Sequence, residues 1–327
     1  MGRRSDETAA FRHRLNRIYL RSTLGFIAFV AVVAVLEQMG LPRRWISVVF
    51  LLATVGLYAG IGIVSRTTDV TEYYVAGRRV PAIYNGMATA ADWMSAASFI
   101  GLAGTLYLQG YGGLAYVMGW TGGFVLVALL LAPYLRKFGQ FTIPDFLGER
   151  FGGNLPRFIG VVAAILCSFV YLVAQIYGVG LITTMLTGVD FVIGIFLGLG
   201  GVLVCSFLGG MRAVTWTQVA QYIILVIAYL MPVVCLSVKQ TGVPIPQLMY
   251  GFALEKIEIL EKTLNVAQGH SSAFVDATGK YSASAMWNYF ALILCLMVGT
   301  ASLPHVLMRY FTTPSVREAR VSVAWSL

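Results

Sequence analysis

The sequence predicts an all-helical protein that crosses a membrane several times. Of the 327 residues, 58% are hydrophobic and only 11% are charged, whereas soluble domains carry about 25% charged residues. The mean hydropathy is +0.78. Apolar runs of about 20 residues, the length that spans a bilayer as a helix, recur along the chain. The net charge of +9 is therefore expected in cytoplasmic loops rather than on a surface that binds nucleic acid.

The four cysteines and three histidines show no spacing typical of a redox or metal centre. The cysteines lie inside apolar runs without a CxxC motif, so we expect buried, unreactive thiols. The histidines are scattered along the chain. Because the sequence also lacks a nucleophile–base pair, we predict a protein that is not an enzyme and needs no cofactor besides a coupling ion.

The first two helices are expected to be peripheral. Six arginines in residues 1–21 precede the apolar run Leu20–Leu36. Because the run is not succeeded by a clear cleavage site, we expect an uncleaved helix rather than a signal peptide. A second helix is predicted at Ile46–Ser65. We assign residues 1–45 to the basic N-terminus with its extra helix, and residues 46–84 to the peripheral helix with a cytoplasmic loop.

The segment Asn85–Gly110 has the length of a transmembrane helix but the composition of a broken one. An acid such as Asp92 costs about 2.5–3.5 kcal/mol at the bilayer centre, so it is expected to face a wet cavity or a partner. Small residues surround Ser95 and Ser98, and glycines come after them. Freed backbone groups are tolerated at membrane depth where they line a protected site. We therefore predict a broken third helix that lines a transport site.

The remaining sequence predicts five further membrane helices, one surface helix and one long loop. Thr142, Pro144 and Asp145 form an N-terminal capping pattern, which predicts a short helix at the membrane surface. A short amphipathic helix is expected at Leu254–Leu264, and another helix is expected to begin at 325–327. The membrane helices are predicted at Leu114–Leu135, Arg157–Leu186, Phe191–Leu208, Ala213–Val238 and, with an interruption near its end, Ala285–Arg309.

The distribution of positive charge predicts the orientation. With eight alternating helices and a cytoplasmic N-terminus, 17 of the 23 Lys and Arg residues fall on the inside, as the positive-inside rule requires. The broken third helix then runs outward and the interrupted eighth helix runs inward. Inverted repeats that each open with a broken helix indicate one transporter architecture. Residues 85–238 would form its first five-helix repeat, 239–284 an extracytoplasmic loop, and 285–327 the truncated start of its second repeat.

Five motifs, in order, resemble those of the sodium:solute symporters, most closely the cation/acetate symporter branch. Each motif alone is loose, but their order along the chain from about Ile46 onward makes the resemblance specific. The motifs are Glu72–Arg79 (EYYVAGRR), Asp92–Gly101 (DWMSAASFIG), Phe141–Leu147 (FTIPDFL), Gly209–Gln218 (GGMRAVTWTQ) and Leu303–Thr312 (LPHVLMRYFT).

This resemblance implies the family's LeuT-like fold of five plus five helices in an inverted repeat, with the first repeat and the start of the second present in this chain. It also implies uptake of a small solute driven by sodium entry. By position, the carbonyl oxygens of Ala91 and Met94 fall at the family's sodium site. The family's remaining sodium ligands would lie beyond Leu327, and Gln218 stands where many members carry an acid.

The predicted site supplies the oxygen ligands that sodium, a hard cation, prefers. The spacing of Ser95 and Ser98 places both on one helix face, although small residues also serve close helix packing. Asp92 could tune cation affinity or pair with an arginine near the inner mouth. Gly299–Pro304 either breaks the eighth helix opposite the third or marks a simple proline kink. The predicted residues are Ala91, Asp92, Met94 and Ser95 for the cation, and Ala97, Ser98, Gly299, Thr300 and Ser302 for the solute.

The predicted function is sodium-coupled import of a small organic solute. A short monocarboxylate such as acetate is favoured, because the presumed pocket offers hydroxyls and the positive end of a half-helix. The expected partners are sodium, the solute and the lipid bilayer of the plasma (inner) membrane, for a monomer that binds no nucleic acid. The alternatives are a transporter-like sensor domain of a signalling protein and a channel, although no selectivity-filter motif supports the channel.

Overall fold

The computed structural model describes residues 2–264, 269–271, 274 and 280–327, and gives the backbone alone for residues 2–9 and 97. Within these described ranges the chain is helical, with 87% of residues in helices and no strand. This confirms the predicted all-helical class. The helices are α1 (Gly2–Gln38), α2 (Arg43–Val64), α3 (Val70–Val75), α4 (Ala82–Trp93), α5 (Leu102–Gln109), α6 (Leu114–Leu126), α7 (Ala132–Phe138), α8 (Ile143–Phe151), α9 (Asn154–Thr187), α10 (Phe191–Thr241), α11 (Pro246–Thr263), α12 (Ala283–Ala301), α13 (Pro304–Met308) and α14 (Val316–Ser326).

Six stretches of the described chain are long and apolar enough to cross a membrane. One of them, α10, contains two of the predicted crossings, and another joins the outer half of the broken third helix to the fourth. Together with α4 they accommodate the eight predicted helices. The stretches are Ala10–Gln38, Arg43–Val64, Ser98–Phe138, Asn154–Thr187, Phe191–Thr241 and Ala283–Ala301.

The two predicted helices within α10 meet at a turn on Gly210. Its φ of 50° and ψ of −139° lie outside the helical region, where glycine alone is readily accommodated. A Cβ atom here would lie 2.5 Å from the carbonyl oxygen of Tyr73. The turn therefore lets α3 approach closely, and Arg212 forms an ion pair with Glu72 on α3.

The surface helix α8 begins as the capping pattern predicts. The Thr142 hydroxyl accepts a hydrogen bond from the Asp145 N–H at 3.3 Å and donates one to the Asp145 carboxylate at 2.7 Å. Pro144 occupies the first turn, where a backbone N–H has no acceptor within the helix, so proline costs no hydrogen bond there. The helix then lies against the start of α9, where a Cβ on Gly160 would be 3.2 Å from the backbone of Pro144.

The inner end of the eighth helix is held in a buried cluster. Tyr310 and Phe311 are no more than 1% exposed, and they pack with Leu135 of α7 and Val323 of α14. The helix α14 begins at Val316 rather than near residue 325, because the Ser315 hydroxyl accepts a hydrogen bond from the Glu318 N–H at 3.2 Å. This cluster fixes where the residues after α13 meet the broken third helix.

The outer half of the eighth helix, α12, packs against α6. Gly119 and Gly123 allow this approach, since a Cβ on Gly123 would lie 2.5 Å from the Thr300 Cβ. The sequence predicts third and eighth helices that are adjacent and antiparallel, each unwound near mid-membrane. The structure brings them together where the turn Arg309–Thr312 contacts α4, while glycine-mediated packing gives α12 a different partner, α6.

Candidate cation and solute site

The third helix is interrupted as predicted. The inner half, α4, ends at Trp93, and Met94 leaves the helical region with φ −77° and ψ 57°. The chain resumes its coiling in a π-helical turn at Ala97–Gly101 and continues into α5. The break therefore lies within the sequence of small residues that predicts it.

The break removes the helical hydrogen-bond donors of two carbonyl groups. In a continuous helix, the N–H of Ser95 would bond to Ala91 and the N–H of Ser98 to Met94. Instead the Ser95 N–H donates to the Trp93 carbonyl at 2.8 Å, and the Ser98 N–H lies 3.5 Å from the Ser95 hydroxyl oxygen. The carbonyl oxygens of Ala91 and Met94, the two predicted at a sodium site, are thereby released from the helix.

Two polar side chains stabilise the irregular backbone. The buried Ser98 hydroxyl donates to the Trp93 carbonyl and lies 3.1 Å from that of Ser95. The Gln175 side chain on α9 accepts a hydrogen bond from the Ala96 N–H at 3.3 Å. Gln175 stands alone in an apolar run, and its contact with the break assigns it the role of stabilising the irregular backbone. Ser98 holds the break in shape, while the Ala97 side chain lies outside the described residues.

The eighth helix is also interrupted, at Ser302 and Leu303. The hydroxyl of Ser302 lies 3.0 Å from the carbonyl of Val298 and 2.9 Å from that of Gly299, so it satisfies its own helix end. Thr300 is buried against Gly123 of α6. A Cβ on Gly299 would meet open space. These contacts do not bring the predicted solute residues of the eighth helix onto the serines of the third.

Asp92 pairs with an arginine, which is one of the two alternatives predicted for this residue. Arg309 donates to its two carboxylate oxygens at 2.8 Å and 3.1 Å, and Gln218 donates to the same carboxylate. The side chains of Asp92 and Arg309 are 6% and 3% exposed. Arg309 also donates to the Thr215 hydroxyl at 3.0 Å. A carboxylate held in this way is not a free cation ligand; it joins the third helix to the eighth.

Arg309 is the partner of Asp92 that the sequence analysis did not name. The sequence could have indicated this pairing, because the predicted topology places Asp92 and Arg309 toward the same membrane face on two helices expected to be neighbours. Gln218 completes the network with an amide. A neutral partner at this position leaves one acid for one arginine, so the charges of the network balance.

His305 comes directly after the interruption of the eighth helix and packs on α9. Its ring is stacked on that of Tyr171, with centroids 4.5 Å apart and an interplanar angle of 28°. This contact ties the second break to the helix that carries Gln175. The two interruptions are therefore braced by the same intact helix, α9, on which Tyr171 and Gln175 lie one turn apart.

Comparison with known proteins identifies the family of this chain. The family model described as "Sodium:solute symporter family" matches residues 73–327. The chain belongs to the sodium:solute symporter family. This confirms the resemblance seen in the five motifs, and with it the prediction that the protein is a transporter-family member rather than an enzyme.

Three curated members of the symporter family resemble this chain. An uncharacterized symporter of Cupriavidus necator is 45% identical, covering 98% of this chain and 61% of its own length. A monocarboxylic acid transporter of Corynebacterium glutamicum is 32% identical over 90% of this chain and 54% of its own. An uncharacterized symporter of Bacillus subtilis, YwcA, is 32% identical over 79% and 47%. The chain thus spans about half to three fifths of these relatives' lengths.

A solved structure shares the symporter fold. It is the substrate-bound, outward-open state of a Na⁺-coupled sialic acid symporter, which matches with a TM-score of 0.64 at 17% identity, covering 88% of this chain and 56% of that one. This confirms the predicted LeuT-like fold. It also agrees with six apolar helical stretches in a multi-pass membrane protein.

Proposed function

We propose that this chain forms the first repeat of a sodium-coupled symporter that imports a small organic solute. The observation that carries the proposal is the break that removes helical donors from the carbonyls of Ala91 and Met94. Transporters of this architecture coordinate the coupling ion with unwound backbone carbonyls and half-helix C-terminal ends. In a continuous helix each of these carbonyl oxygens would accept a backbone N–H. Here they are free of that bond and can bind a hard cation.

We assign the coupling ion to the end of α4. Ala91 and Met94 supply carbonyl oxygens, and Ser95 supplies a hydroxyl oxygen from the same irregular turn. The negative end of the α4 dipole favours a cation at this point. Asp92 contributes indirectly, because its ion pair with Arg309 fixes the last turn of α4. No other cofactor is needed for this chemistry.

We propose a short monocarboxylate such as acetate as the solute. The outer half of the broken helix, Ala97–Gln109, begins at the break, where the N–H groups of a helix N-terminus attract an anion. Ala97 and Ser98 lie in this first turn, and Gly299 faces open space. The name of the relative from Corynebacterium glutamicum supports a monocarboxylate. Thr300 and Ser302, packed and hydrogen-bonded elsewhere, stay predictions that need the end of α12 to rearrange.

We place the protein in the plasma (inner) membrane as a monomer with its N-terminus in the cytoplasm. The basis is the positive-inside count, with 17 of 23 basic residues on the proposed inner side. In this arrangement residues 85–238 form the first repeat, 239–284 lie outside the cell, and 285–327 open the second repeat. Residues 1–45 and 46–84 form the two peripheral helices with their inner segments.

Uptake of labelled acetate by the complete protein in proteoliposomes tests this proposal. An inward sodium gradient should drive accumulation, and collapsing the gradient with a sodium ionophore should abolish it. Replacing the sodium gradient by a proton gradient at equal membrane potential is the matched control. Undissociated acetic acid crosses bilayers unaided, so uptake is measured above that of protein-free liposomes. Protein-dependent accumulation that follows the proton gradient instead would contradict sodium coupling. Sodium-driven uptake of a different solute, with acetate neither transported nor competing, would overturn the assigned substrate alone.

A further inference from the structure

A large apolar cavity lies away from the broken helices, between α1, α2 and the second half of α10. Its volume is about 930 Å³. The α1 residues that line it recur every three or four positions, as one face of a helix does. The principal lining residues are Leu15, Ile18, Ser22 and Phe26 on α1, Leu57 and Ile61 on α2, and Ile223 on α10.

The helix α1 touches its neighbours at two separated places and stands off between them. Near its outer end, the rings of Phe29 and Phe50 are 5.0 Å apart. Further inward, the Tyr19 hydroxyl donates to the Trp216 carbonyl at 3.1 Å. A Cβ added at Gly60 of α2, which lines the cavity between these contacts, would have no atom within 4 Å. The space is therefore open where two helices could otherwise pack closely.

Positive charge lies at one end of this cavity. Arg79 and Arg212 line it together with Glu72. Glu72 pairs with Arg212, and within the described part of the chain Arg79 has no ion-pair partner. On α1, Arg14 lies four residues before the lining residue Ile18, so the two share a face. The charged end is the one to which we assign the cytoplasmic side, so a net positive charge faces the inner leaflet.

We propose that this cavity binds an anionic phospholipid of the inner leaflet, with an acyl chain between α1, α2 and α10 and its phosphate at Arg79. Basic pockets between membrane helices on the cytoplasmic side hold such headgroups, and the apolar walls match an acyl chain. A helix of a second copy would fill the apolar part but leave Arg79 uncompensated. The proposal goes beyond solute transport and does not depend on it.

Lipid retention by the purified complete protein tests the site. After delipidation and reconstitution into nanodiscs of mixed phosphatidylglycerol and phosphatidylcholine, native mass spectrometry should show phosphatidylglycerol retained in preference. Arg79→Gln should reduce the retained phosphatidylglycerol about fivefold, the usual contribution of one arginine near an anionic leaflet. Gly60→Leu should reduce retention of both lipids, because its side chain enters the acyl-chain space without meeting protein atoms.

Two matched variants keep the result specific. Arg150→Gln removes an exposed arginine of the surface helix α8, and Gly200→Leu adds a side chain at a glycine of α10 that also meets open space. Both should retain lipid as the wild type does. Equal retention of the two lipids by the wild type, or unchanged retention in Arg79→Gln and Gly60→Leu, would overturn the proposal. So would a wild type that retains no lipid but forms dimers that Gly60→Leu disrupts.

If a variant fails to fold, the wild type alone decides the question. Phosphatidylglycerol should raise its unfolding temperature in detergent more than an equal concentration of phosphatidylcholine. High salt should reduce that difference, because the Debye length falls to about 3 Å at 1 M salt and the attraction between charges further apart is screened. An equal effect of the two lipids would contradict the assigned headgroup site, while inorganic phosphate acting as well as the lipid would show that the cavity holds no acyl chain.

Discussion

At the scale of single residues, the buried pair of Asp92 and Arg309 has the largest expected energetic effect. Burying two charges is costly, and the cost is offset where geometry is good and further hydrogen bonds satisfy both groups. Here Gln218 and Thr215 provide those bonds. The pair joins α4 to the turn after α13, so it links the two interrupted helices.

Removing one partner of this pair should be strongly destabilising. We expect Arg309→Gln to lower the free energy of unfolding by about 3–5 kcal/mol, because Asp92 is left charged and buried. Chemical denaturation in detergent measures this. The double variant Asp92→Asn with Arg309→Gln should regain much of the loss, since no uncompensated charge is left.

The exposed pair of Arg157 and Asp145, with side chains 48% and 32% exposed, is the matched control for the buried one. Arg157→Gln should change the free energy of unfolding by no more than about 1 kcal/mol. A loss in Arg309→Gln as small as that in Arg157→Gln would show that the Asp92 network does not hold the repeats together.

A second residue-scale prediction concerns Ser95. Its hydroxyl oxygen accepts a weak hydrogen bond from Ser98 at 3.5 Å, so Ser95→Ala should fold normally. We expect the sodium concentration for half-maximal uptake to rise about tenfold, as when one contact to a charged group is lost. Ser95→Thr keeps the hydroxyl and should restore sodium activation. An unchanged sodium dependence in Ser95→Ala would remove this hydroxyl from the cation site.

At the scale of elements, His270 links α11 to the outer end of the broken helix. Its ring nitrogens contact the carbonyl oxygen of Tyr107 at 2.6 Å and the carboxylate of Glu261. Its own carbonyl accepts from the Tyr111 N–H at 2.8 Å. Gly110, with φ of +55°, allows this approach, since a Cβ there would collide with the His270 carbonyl oxygen. The link therefore connects the loop to the segment that must move if the site opens outward.

This link should weaken as pH rises. The Tyr107 carbonyl, and then the Glu261 carboxylate, raise the pKa of His270 above its ordinary 6.5, because both accept hydrogen bonds from the charged ring. Stabilisation of the folded state is thus complete below pH 6.5 and is lost as pH rises through the raised pKa. Hydrogen exchange at the Tyr111 amide, corrected for intrinsic rate, should accelerate across this range.

His270→Gln should remove that pH dependence, while His13→Gln, on α1 at the other end of the molecule, should leave it intact. The same acceleration in wild type and His270→Gln would assign the effect to a different group. Among the described residues, the charged and titratable groups that face His270 are Glu261, Tyr107 and Tyr111.

At the scale of the whole molecule, two separate sets of contacts connect the broken third helix to the later part of the chain. The Asp92–Arg309 pair lies at the proposed inner end and the His270 link at the proposed outer end. Glycine packing between α6 and α12 lies between them. An inverted-repeat transporter opens to one side at a time by moving one bundle against the other, so these two ends are where such motion must break contacts.

The orientation of the molecule can be measured directly. In a protein without native cysteines, a single cysteine replacing exposed Lys256 on α11 should react with a membrane-impermeant maleimide added to intact cells. A cysteine replacing exposed Arg150 on α8 should react after the inner membrane is opened. The reverse pattern would invert the proposed topology and would place Arg79 and its cavity in the outer leaflet.

Much of the fold could be predicted from local chemistry. The composition predicted the membrane class, and the Thr142–Asp145 pattern predicted the start of α8, because capping depends on neighbours in sequence. The break near Ser95 was also predictable, since small residues and an acid make a poor continuous helix. The start of α14 was misplaced, because its charged first turn hides a helix that buries one face, with Ala319, Ser322 and Val323, against the rest of the protein.

The contacts of the site were harder to predict from the sequence. That Ser98 and Gln175 stabilise the break, and that Thr300 faces α6, depends on helix rotations that hydropathy does not encode. The partner of Asp92 could be narrowed to an arginine near the inner mouth, but choosing Arg309 requires the buried cluster around Tyr310 and Phe311. The His270 link joins residues 163 positions apart, beyond any local pattern.

The sequence by itself determined the class, the helical segments, the interrupted helices and the family, because these depend on burial preference, capping and motif order along one chain. The tertiary structure decided three features of the site and its surroundings. They are the release of the Ala91 and Met94 carbonyls, the ion pair of Asp92 with Arg309, and the cavity beside α1. These depend on helix packing and rotation, which join residues far apart in sequence and are set by the shape of the whole core.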